Sequence, residues 1–494
     1  MDSKFVLGID QSTQGTKALL FDENGCLMCR TDVAHQQIIN ELGWVEHDPM
    51  EIYKNVIQAV KNLVEKAQID KNQIKVLGIS NQRETAVVWN RLTGEPVCHA
   101  VVWQCGRGAA ICEELKKDGY GEMIRQHTGL QLSPYFSAAK IAWVLRNMAG
   151  ARKEAEKGSL CCGTMDSWLI YGLTKGKEFR TDYSNASRTQ LFNVKSLAWD
   201  EEVCRLFGVP MSCLGEVTDS DGEFGQTDFE GYLDRPIPIR GVFGDSHGAL
   251  FGQGCLHRGM IKATYGTGSS VMMNIGEEPV FSKRVVTSLG WRMNGKVSYV
   301  LEGNINYTGA VVSWLKKDLQ LIASDHESER LAEEANPDDT TYLVPAFSGL
   351  GAPYWDSEAR AMLWGMSRTT KKAEIVKAAL ESIACQITDV LKVMCHESGI
   401  PVSELRVDGG PTKNRYLMQF QSDIVGIAVQ VPSMEELSGM GAAYGAGIAA
   451  GIYKKDKLFR QVQRITFRPQ MDAQTRVKKY DGWRQAVGKV LAHC

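Results

Sequence analysis

The sequence predicts an α/β protein in which two sheet-and-helix domains face each other across a cleft. The N-terminal part alternates short apolar strands with one long amphipathic helix, and a second run of strands and helices follows from the middle of the chain. The chain has 494 residues, more than one ordinary hydrophobic core accommodates. We place the boundary near Gly244 to Cys255, which divides the chain into residues 1–250 and 251–494.

The first domain is predicted to contain a mixed sheet. KFVLGID and TKALLFD are typical of buried strands, and CLMCRTDV follows as a third strand after a tight turn. A helix is expected over DPMEIYKNVIQAVKNLVEKA, because apolar residues recur there at helical spacing and Asp48 with Pro49 is a good start signal. IKVLGIS and AVVWN return to strand, so we expect these strands in one sheet with helices against its faces.

The second domain is predicted to repeat this organisation. MIKATYGTGSSVMMNIG resembles two strands joined by a Gly-Thr-Gly turn, and SYVLEGNI and LRVDGG add further strands. Helices are expected around Ala310 to Leu319 and Lys372 to Cys395. SGMGAAYGAGIAAGIY is shorter than the roughly 18 apolar residues of a membrane span and is rich in glycine. It predicts a buried helix of small residues that packs closely against a neighbour.

Charge and cysteine content restrict the partners and the compartment. The formal net charge of −2 gives no long-range attraction to nucleic acid or to an anionic membrane, so neither partner is expected. The N-terminal MDSKFVLGID lacks the blocks of a secretory signal. The 13 cysteines form no spaced framework, which indicates reduced thiols in a cytoplasmic protein and no cysteine metal site.

Glycine turns that carry hydroxyl groups follow three of the predicted strands. They are DQSTQGT from Asp10, TYGTGSS from Thr264 and DGGPTKN from Asp408. Glycine lets the backbone approach an anion, and free N–H groups with Thr and Ser hydroxyls can surround phosphate oxygens. One such turn is usually only a turn, but three in one chain indicate phosphate binding. The Walker and G-x-G-x-x-G patterns are absent, so a nucleotide would bind by another scheme.

Two aspartates lie at predicted strand ends, Asp10 and the Asp245 of GDSHGA. Each alone could be a turn-former, but together across a cleft they suit phosphoryl transfer, one near magnesium and one near the attacking hydroxyl. In NQRET, Arg83 and Glu84 form either a surface ion pair or a fork that binds a polyhydroxyl substrate. His247 is as consistent with a hydrogen bond at a helix start as with catalysis, and we assign it no proton chemistry.

Taken together, these residues resemble the FGGY family of carbohydrate kinases, and within it the glycerol kinases most. The resemblance covers nearly the whole chain. It is carried by segments in the expected order, namely GWVEHDP, NQRET, VVWQC, PYFSAAKIAWVL, SNASRTQLFN, TYGTG, VPAFSGLGAPYWD, GMSRTTKKAEIVKAALES, RVDGG and LMQFQSDI.

The resemblance implies two ribonuclease-H-like domains, of the actin and Hsp70 type, around a nucleotide cleft. Residues 1–250 would bind the sugar or polyol and residues 251–494 would bind ATP. Asp10 is similar to the magnesium-side carboxylate and Asp245 to the catalytic base. The cofactors implied are ATP and Mg²⁺, and a homo-oligomer, either dimer or tetramer, is expected.

The resemblance also implies the remaining binding residues. The set that contacts the substrate comprises Arg83, Glu84, Trp103, Tyr135 and Asp245, with Ser246 and Ser270 beside it. The set that contacts ATP comprises Thr13, Gln14, Lys17, Thr267, Gly268, Gly309, Ser313, Gly410 and Asn414. Ser313 replaces the glutamine that is usual in the glycerol kinases, and Gln14 and Lys17 differ from the types that are often found in the family.

Departures from the family pattern concentrate where the substrate is expected. Ser246 and His247 replace two glutamines, and Ser270 replaces a phenylalanine that packs on the carbon face of glycerol. A larger, more polar pocket favours a C4–C5 polyol or ketose such as xylitol or xylulose. Glycerol is the alternative substrate. A nucleotide-binding sensor without turnover and an Hsp70-like ATPase module are further alternatives, which the intact Asp10 and Asp245 disfavour.

Overall fold

The computed structural model describes residues 4–460 and 462–492, which contain two large β-sheets and several small ones. The strands are β1 (Phe5–Gln11), β2 (Gly15–Phe21), β3 (Leu27–Ala34), β4 (Ile38–Ile39), β5 (Val45–His47), β6 (Ile74–Asn81), β7 (Val87–Asn90), β8 (Ala100–Val101), β9 (Leu160–Gly163), β10 (Arg180–Asp182), β11 (Phe192–Asn193), β12 (Ala198–Trp199), β13 (Glu216–Thr218), β14 (Gln226–Thr227), β15 (Ile237–Gly244), β16 (Ile261–Tyr265), β17 (Ser269–Gly276), β18 (Val286–Met293), β19 (Lys296–Ile305), β20 (Tyr342–Val344), β21 (Met362–Trp364), β22 (Glu404–Asp408), β23 (Ala428–Pro432) and β24 (Arg464–Phe467).

The helices cover the sheets. They are α1 (Pro49–Ala67), α2 (Ala109–Lys117), α3 (Gly121–Thr128), α4 (Ser137–Asn147), α5 (Ala151–Glu156), α6 (Met165–Leu173), α7 (Tyr183–Ala186), α8 (Glu201–Phe207), α9 (Asp245–Gly252), α10 (Gly309–Lys317), α11 (Asp325–Glu334), α12 (Lys372–Ser398), α13 (Arg415–Val425), α14 (Leu437–Ala449), α15 (Lys455–Leu458) and α16 (Ala473–Leu491). In the part of the chain that is described, no helix is both long enough and apolar enough to cross a membrane.

The two large sheets repeat one strand arrangement. The first has the order β14-β15-β6-β1-β2-β3, and the second has the order β18-β19-β17-β16-β22-β23-β24. In each, three antiparallel strands (β3-β2-β1 and β19-β17-β16) are followed by two that run parallel to the third, β6 and β15 or β22 and β23. The two predicted sheet-and-helix domains are therefore present, and they share a topology.

Most predicted elements are found where the sequence placed them, with one correction. The AVVWN strand, β7, does not join the main sheet but pairs with β9 in a separate two-stranded sheet. The fifth long strand of the main sheet is β15 instead, which pairs in parallel with β6. AVVWN has the composition of a buried strand in either place, and a local pattern does not specify its partner.

The glycine-rich helix α14 lies against the first sheet although it follows the second in the chain. It packs on β1, β6, β15 and α9. A Cβ added at Gly441 would lie 1.9 Å from the carbonyl oxygen of Gly248 on α9, and one added at Gly78 of β6 would lie 2.3 Å from the carbonyl oxygen of Ala442. The predicted close packing of this helix is confirmed.

Gly441→Ala is expected to lower the free energy of unfolding by about 3 kcal/mol, because neither helix backbone can move away without disturbing its packing. Gly488→Ala is the matched control. Its added methyl group meets nothing within 4 Å on α16. Replacing glycine in an open helix position stabilises by about 0.5–1 kcal/mol. Chemical denaturation followed by tryptophan fluorescence measures both, and equal effects would contradict the close contact.

Candidate active site

The expected acidic residues lie at the carboxyl ends of neighbouring strands of the first sheet. Asp10 is in the last part of β1, and Asp245 follows β15 as the first residue of α9. The strand between them, β6, leads directly into the NQRET segment. Because β1, β6 and β15 are parallel, these ends meet at one edge of the sheet. Asp10 is buried, whereas the side chain of Asp245 is 36% exposed.

A buried network of four charged side chains joins the two sheets beside Asp245. The two terminal nitrogens of Arg83 donate to both carboxylate oxygens of Glu302 on β19, each at 2.9 Å. Arg188 Nε donates to Glu84 Oε1 at 2.6 Å, and its Nη1 lies 2.9 Å from Glu302 Oε2. All four are 5% exposed or less. Two guanidinium groups and two carboxylates thus neutralise one another inside the protein.

The buried network excludes a surface ion pair between Arg83 and Glu84, and it brings Glu302 and Arg188 close to Asp245. Arg83 and Glu84 are not a surface ion pair, since both are buried and the nearest charged atoms of their side chains, Arg83 Nε and Glu84 Oε1, are 4.0 Å apart. Their contact with a polyol stays a prediction, and the terminal nitrogens of Arg83 already have a protein partner. Glu302 and Arg188 escaped the sequence analysis. The available signal for Glu302 was a single charge inside the otherwise apolar strand SYVLEGNI.

The surroundings of Asp245 orient its carboxylate. Arg83 Nε lies 3.0 Å from Asp245 Oδ1, at an angle outside hydrogen-bond geometry, and the backbone N–H of Ser246 donates to the same oxygen. His247 is fully buried, and its Nε2 lies 3.2 Å from Ser288 Oγ of β18. Burial, with Arg83 nearby, holds the pKa of His247 well below its ordinary value. The imidazole is therefore neutral at pH 7.

The other residues expected at the substrate form two groups. The rings of Trp103 and Tyr135 meet edge to face with their centroids 5.6 Å apart, and both are half-buried. Ser270 lies on β17 in the other domain, where its hydroxyl donates to Glu302 Oε1 at 2.8 Å. Ser246 is also half-buried. The hydroxyl at position 270 therefore belongs to the same polar network as Arg83.

The first phosphate turn joins β1 to β2 and is tied to its neighbours. Thr13 Oγ1 accepts from the indole N–H of Trp103 at 3.0 Å, which connects the expected nucleotide and substrate residues directly. Lys17 lies 2.7 Å from Glu436 and 3.9 Å from Asp10. Gln14 is exposed. Glu436, which immediately precedes α14, therefore holds the ammonium group of Lys17, the side chain expected near the phosphates. The sequence analysis did not identify Glu436.

Burial raises the pKa of Asp10 from 3.8 to about 6, against the opposing effect of Lys17. The folded protein consequently holds this proton more tightly than the unfolded chain, so ionisation lowers stability as the pH rises from about 4 through 6. Asp10→Asn is expected to raise the free energy of unfolding at pH 7.5 by up to about 3 kcal/mol, from a shift of about two pKa units. The gain in stability should shrink toward pH 4. Turnover of the variant should be lower than that of the wild-type protein, because Asp10 is proposed to act in catalysis.

Denaturation across this pH range, without nucleotide or metal, measures the effect. Asp118→Asn, at an exposed position just after α2, makes the same chemical change away from the site and provides the matched control. A loss of stability in Asp10→Asn at pH 7.5 would contradict the unfavourable burial of this charge.

The second phosphate turn joins β16 to β17 and is hydrogen-bonded to the start of α10. The backbone N–H of Gly309 donates to the carbonyl of Gly266 at 2.9 Å, and that of Thr308 donates to the carbonyl of Thr267 at 3.0 Å. A Cβ added at Gly268 would lie 2.4 Å from the carbonyl oxygen of Ile305, so this position requires glycine. Backbone hydrogen bonds from the start of α10 therefore hold the turn in place.

The third turn follows β22 and precedes α13. Asn414 caps α13, accepting from the N–H of Leu417 at 2.9 Å, and its amide lies 3.2 Å from Ser328 Oγ. A Cβ added at Gly410 would face open space. Ser313 is half-buried on α10. The contacts of Gly410, Asn414 and Ser313 with a nucleotide stay predictions.

The residues around Asp10 fit a divalent cation. Asp10 is buried with no cationic nitrogen of the described residues closer than the 3.9 Å of Lys17. Carboxylate oxygens are ligands that Mg²⁺ prefers, and its usual shell of waters would complete the site.

Both halves of the chain match models of one protein family. Residues 5–252 match the FGGY family of carbohydrate kinases, N-terminal domain, and residues 261–450 match its C-terminal domain. The chain is 48% identical over 492 residues to glycerol kinase 1 of Thermotoga maritima, with 99% of each chain covered. It is 46% identical over 490 residues to glycerol kinase of Oceanobacillus iheyensis, with 99% of this chain and 98% of the relative covered.

Solved structures show the same fold. The structure of Plasmodium falciparum glycerol kinase with ADP matches with a TM-score of 0.92 and 37% identity, covering 99% of this chain and 98% of that one. Ligand-bound xylulose kinase from Lactobacillus acidophilus matches with a TM-score of 0.90 over 99% of both chains, but its 20% identity supports a likeness of fold alone. The predicted pair of ribonuclease-H-like domains around a nucleotide cleft is confirmed.

Proposed function

The chain belongs to the FGGY family of carbohydrate kinases, phosphotransferases that act on an alcohol group, and we propose that it transfers the γ-phosphoryl group of ATP to a terminal hydroxyl of glycerol. The observation that carries the proposal is the placement of Asp245. Its carboxylate is partly open to solvent at a strand end, while the Arg83 beside it is buried and fixed by Glu302. The relatives that are 45–48% identical over the whole chain are named glycerol kinases, which favours glycerol over the xylitol or xylulose hypothesis.

Asp245 would hold the attacking hydroxyl and accept its proton. In phosphoryl transfer the transition state is loose, so a base that positions the hydroxyl and takes the proton late is sufficient. Arg83 Nε, 3.0 Å from Oδ1, keeps the carboxylate oriented. Because Glu302 neutralises the guanidinium, Arg83 can remain buried beside Asp245.

The second substrate is proposed to be ATP with Mg²⁺. Support for ATP comes from family membership and from the ADP in the Plasmodium falciparum structure. The three glycine turns would supply backbone N–H groups to the phosphates, with Lys17 and Thr13 beside the first turn. Asp10 would hold Mg²⁺, which when bound neutralises phosphate charge.

A C4–C5 polyol or ketose is the second candidate for the acceptor. The observation that favours it is the serine at position 270, where the glycerol kinases resembled in sequence have phenylalanine. Its hydroxyl faces Glu302 rather than an apolar neighbour. Hydroxyl groups left unpaired in a buried polar pocket cost about 1–3 kcal/mol each, so a longer substrate that pairs with Ser246 and Ser270 would be preferred.

Turnover on a series of acceptors separates the two candidates. We expect the kcat/KM for glycerol to exceed that for erythritol, xylitol and xylulose by about tenfold or more, because one misplaced polar group is worth at least that factor. A coupled assay of ADP release measures it, with acceptor omitted as the control. If any C4 or C5 compound exceeds glycerol, the polar wall at Ser270 determines the substrate instead.

Assembly and compartment complete the proposal. A dimer or tetramer is proposed from family resemblance, and light scattering during size-exclusion chromatography measures it.

The cytoplasm is proposed as the compartment because ATP is available there.

A further inference from the structure

A series of hydrogen bonds connects the first phosphate turn to NQRET through Trp103. The indole N–H of Trp103 donates to Thr13 Oγ1 at 3.0 Å, and its backbone N–H donates to Thr85 Oγ1 at 3.2 Å. The Thr85 hydroxyl is then free to donate, and it does so to Gln82 Oε1 at 2.9 Å. Gln82 and Thr85 are both buried. The series so far runs from the expected nucleotide residue to the segment that carries Arg83.

Two histidines continue the series back to the phosphate turn. Because Gln82 uses its oxygen for Thr85, its amide nitrogen faces His47 Nδ1, 3.2 Å away, and donates to it. His47 must then carry its proton on Nε2. On the other side, His35 Nε2 lies 3.0 Å from the carbonyl oxygen of Thr13, which can only accept. His35 therefore also carries its proton on Nε2.

These tautomers leave one donor and one acceptor between the two rings. His47 Nε2–H and the lone pair of His35 Nδ1 are both buried without a hydrogen-bond partner in the described structure. The two rings meet edge to face with centroids 4.7 Å apart. Burial lowers the pKa of both groups, that of His47 to about 4, so both are neutral at pH 7. The unpaired atoms are thus chemically complementary, and with the ring centroids 4.7 Å apart a small movement of either ring, or one water, would join them.

We propose that His35 and His47 are positioning residues which close a ring of hydrogen bonds, through Gln82, Thr85 and Trp103, around to Thr13. Closing the ring fixes the phosphate turn relative to Trp103. Thr13 lies where ATP is proposed to bind, and Trp103 lies where the acceptor is proposed to bind. This inference therefore rests on the proposed function. The ring would then make the binding of ATP and of the acceptor mutually favourable, because whichever ligand binds first orders residues that the other needs.

The backbone around the ring supports this role. The N–H of Gln82 donates to the carbonyl of Gln11 at 2.7 Å, and the N–H of His35 approaches the carbonyl of Gln14 at 3.4 Å. Glu84, between Gln82 and Thr85, has a φ of 60°, a conformation that a non-glycine residue adopts only when its surroundings hold it. The segment between the two substrates is therefore held from several sides at once.

Nitrogen NMR of histidine tests the ring without any substrate. With ¹⁵N-labelled histidine, His35 and His47 should both show the Nε2–H tautomer at pH 7, assigned through His35→Gln and His47→Asn. In His35→Gln the amide nitrogen takes the place of the donating Nε2. In His47→Asn the amide oxygen takes the place of the accepting Nδ1. An Nδ1–H tautomer or a charged ring at either position would overturn the proposal, whatever the acceptor proves to be.

The coupling itself is tested with a matched pair at Thr85. In the wild-type protein a non-hydrolysable ATP analogue should tighten glycerol binding in calorimetry by about fivefold or more, a typical coupling between two sites. Thr85→Ser keeps the hydroxyl and should keep the factor. Thr85→Val removes the hydroxyl at nearly constant shape and should reduce the coupling factor. An unchanged factor in Thr85→Val, or none in the wild type, would overturn the proposal.

The histidines are tested by a double-mutant cycle. His35→Leu and His47→Leu should each reduce the coupling factor, and the double variant should lose no more than either single one, because a ring is opened only once. Melting curves establish that each variant is folded. If glycerol is not phosphorylated, the proposed function fails, and the same titrations with xylitol still test the ring.

Discussion

Asp245→Asn is expected to lower kcat by roughly two to four orders of magnitude, the range for a positioned proton acceptor. Asparagine keeps the shape of the side chain but cannot accept the proton of the attacking hydroxyl. Arg83 keeps its two hydrogen bonds to Glu302, so the buried network stays intact and the fold is preserved. Because the side chain of Asp245 is 36% exposed, the asparagine is also tolerated without a large loss of stability.

Binding separates loss of chemistry from loss of the site. The dissociation constants for glycerol and for a non-hydrolysable ATP analogue, measured by calorimetry, should stay close to the wild-type values. Asp118→Asn, which makes the same chemical change at an exposed position, should retain full turnover. Near-wild-type turnover in Asp245→Asn would remove this residue from the mechanism.

The sequence predicts the strands and turns of the site well because each depends on local patterns. Apolar runs that end in glycine turns mark β1 and β16, and they place Asp10 and Thr267 at strand ends, as found. The close packing of α14 is also predictable, since only small residues permit it. The sheet that α14 covers is not predictable from its composition, because it packs on strands far earlier in the chain.

Partners of charged residues are harder to predict, because burial and pairing arise only from tertiary structure. The NQRET segment indicated a pair between Arg83 and Glu84, which are adjacent in sequence. In the structure each instead pairs with a residue more than a hundred positions away, Arg83 with Glu302 and Glu84 with Arg188. The ring through His35 and His47 escaped notice for the same reason, since it joins five separate segments.

Glu302→Gln is expected to lower the free energy of unfolding by about 3–5 kcal/mol, because removing one partner of a buried ion pair leaves uncompensated charge. Two guanidinium groups, those of Arg83 and Arg188, would lose this carboxylate. Burial alone would raise the pKa of Glu302, but Arg188 and Arg83 outweigh it and hold the pKa well below 4.5. Its stabilising contribution is therefore fully present above pH 4.5 and is lost only as the pH falls toward the lowered pKa.

The kcat of Glu302→Gln should fall together with its stability, because Arg83 is then no longer held beside Asp245. Denaturation at pH 7 measures the first effect, and kcat, determined at a temperature where the variant is folded, measures the second. Glu334→Gln makes the same change in an exposed pair with Arg330, one turn apart on α11, and should cost less than about 1 kcal/mol. Equal losses in the two variants would show that the buried network adds no more stability than a surface pair. A stable Glu302→Gln protein with full turnover would show that Arg83 needs no partner to orient Asp245.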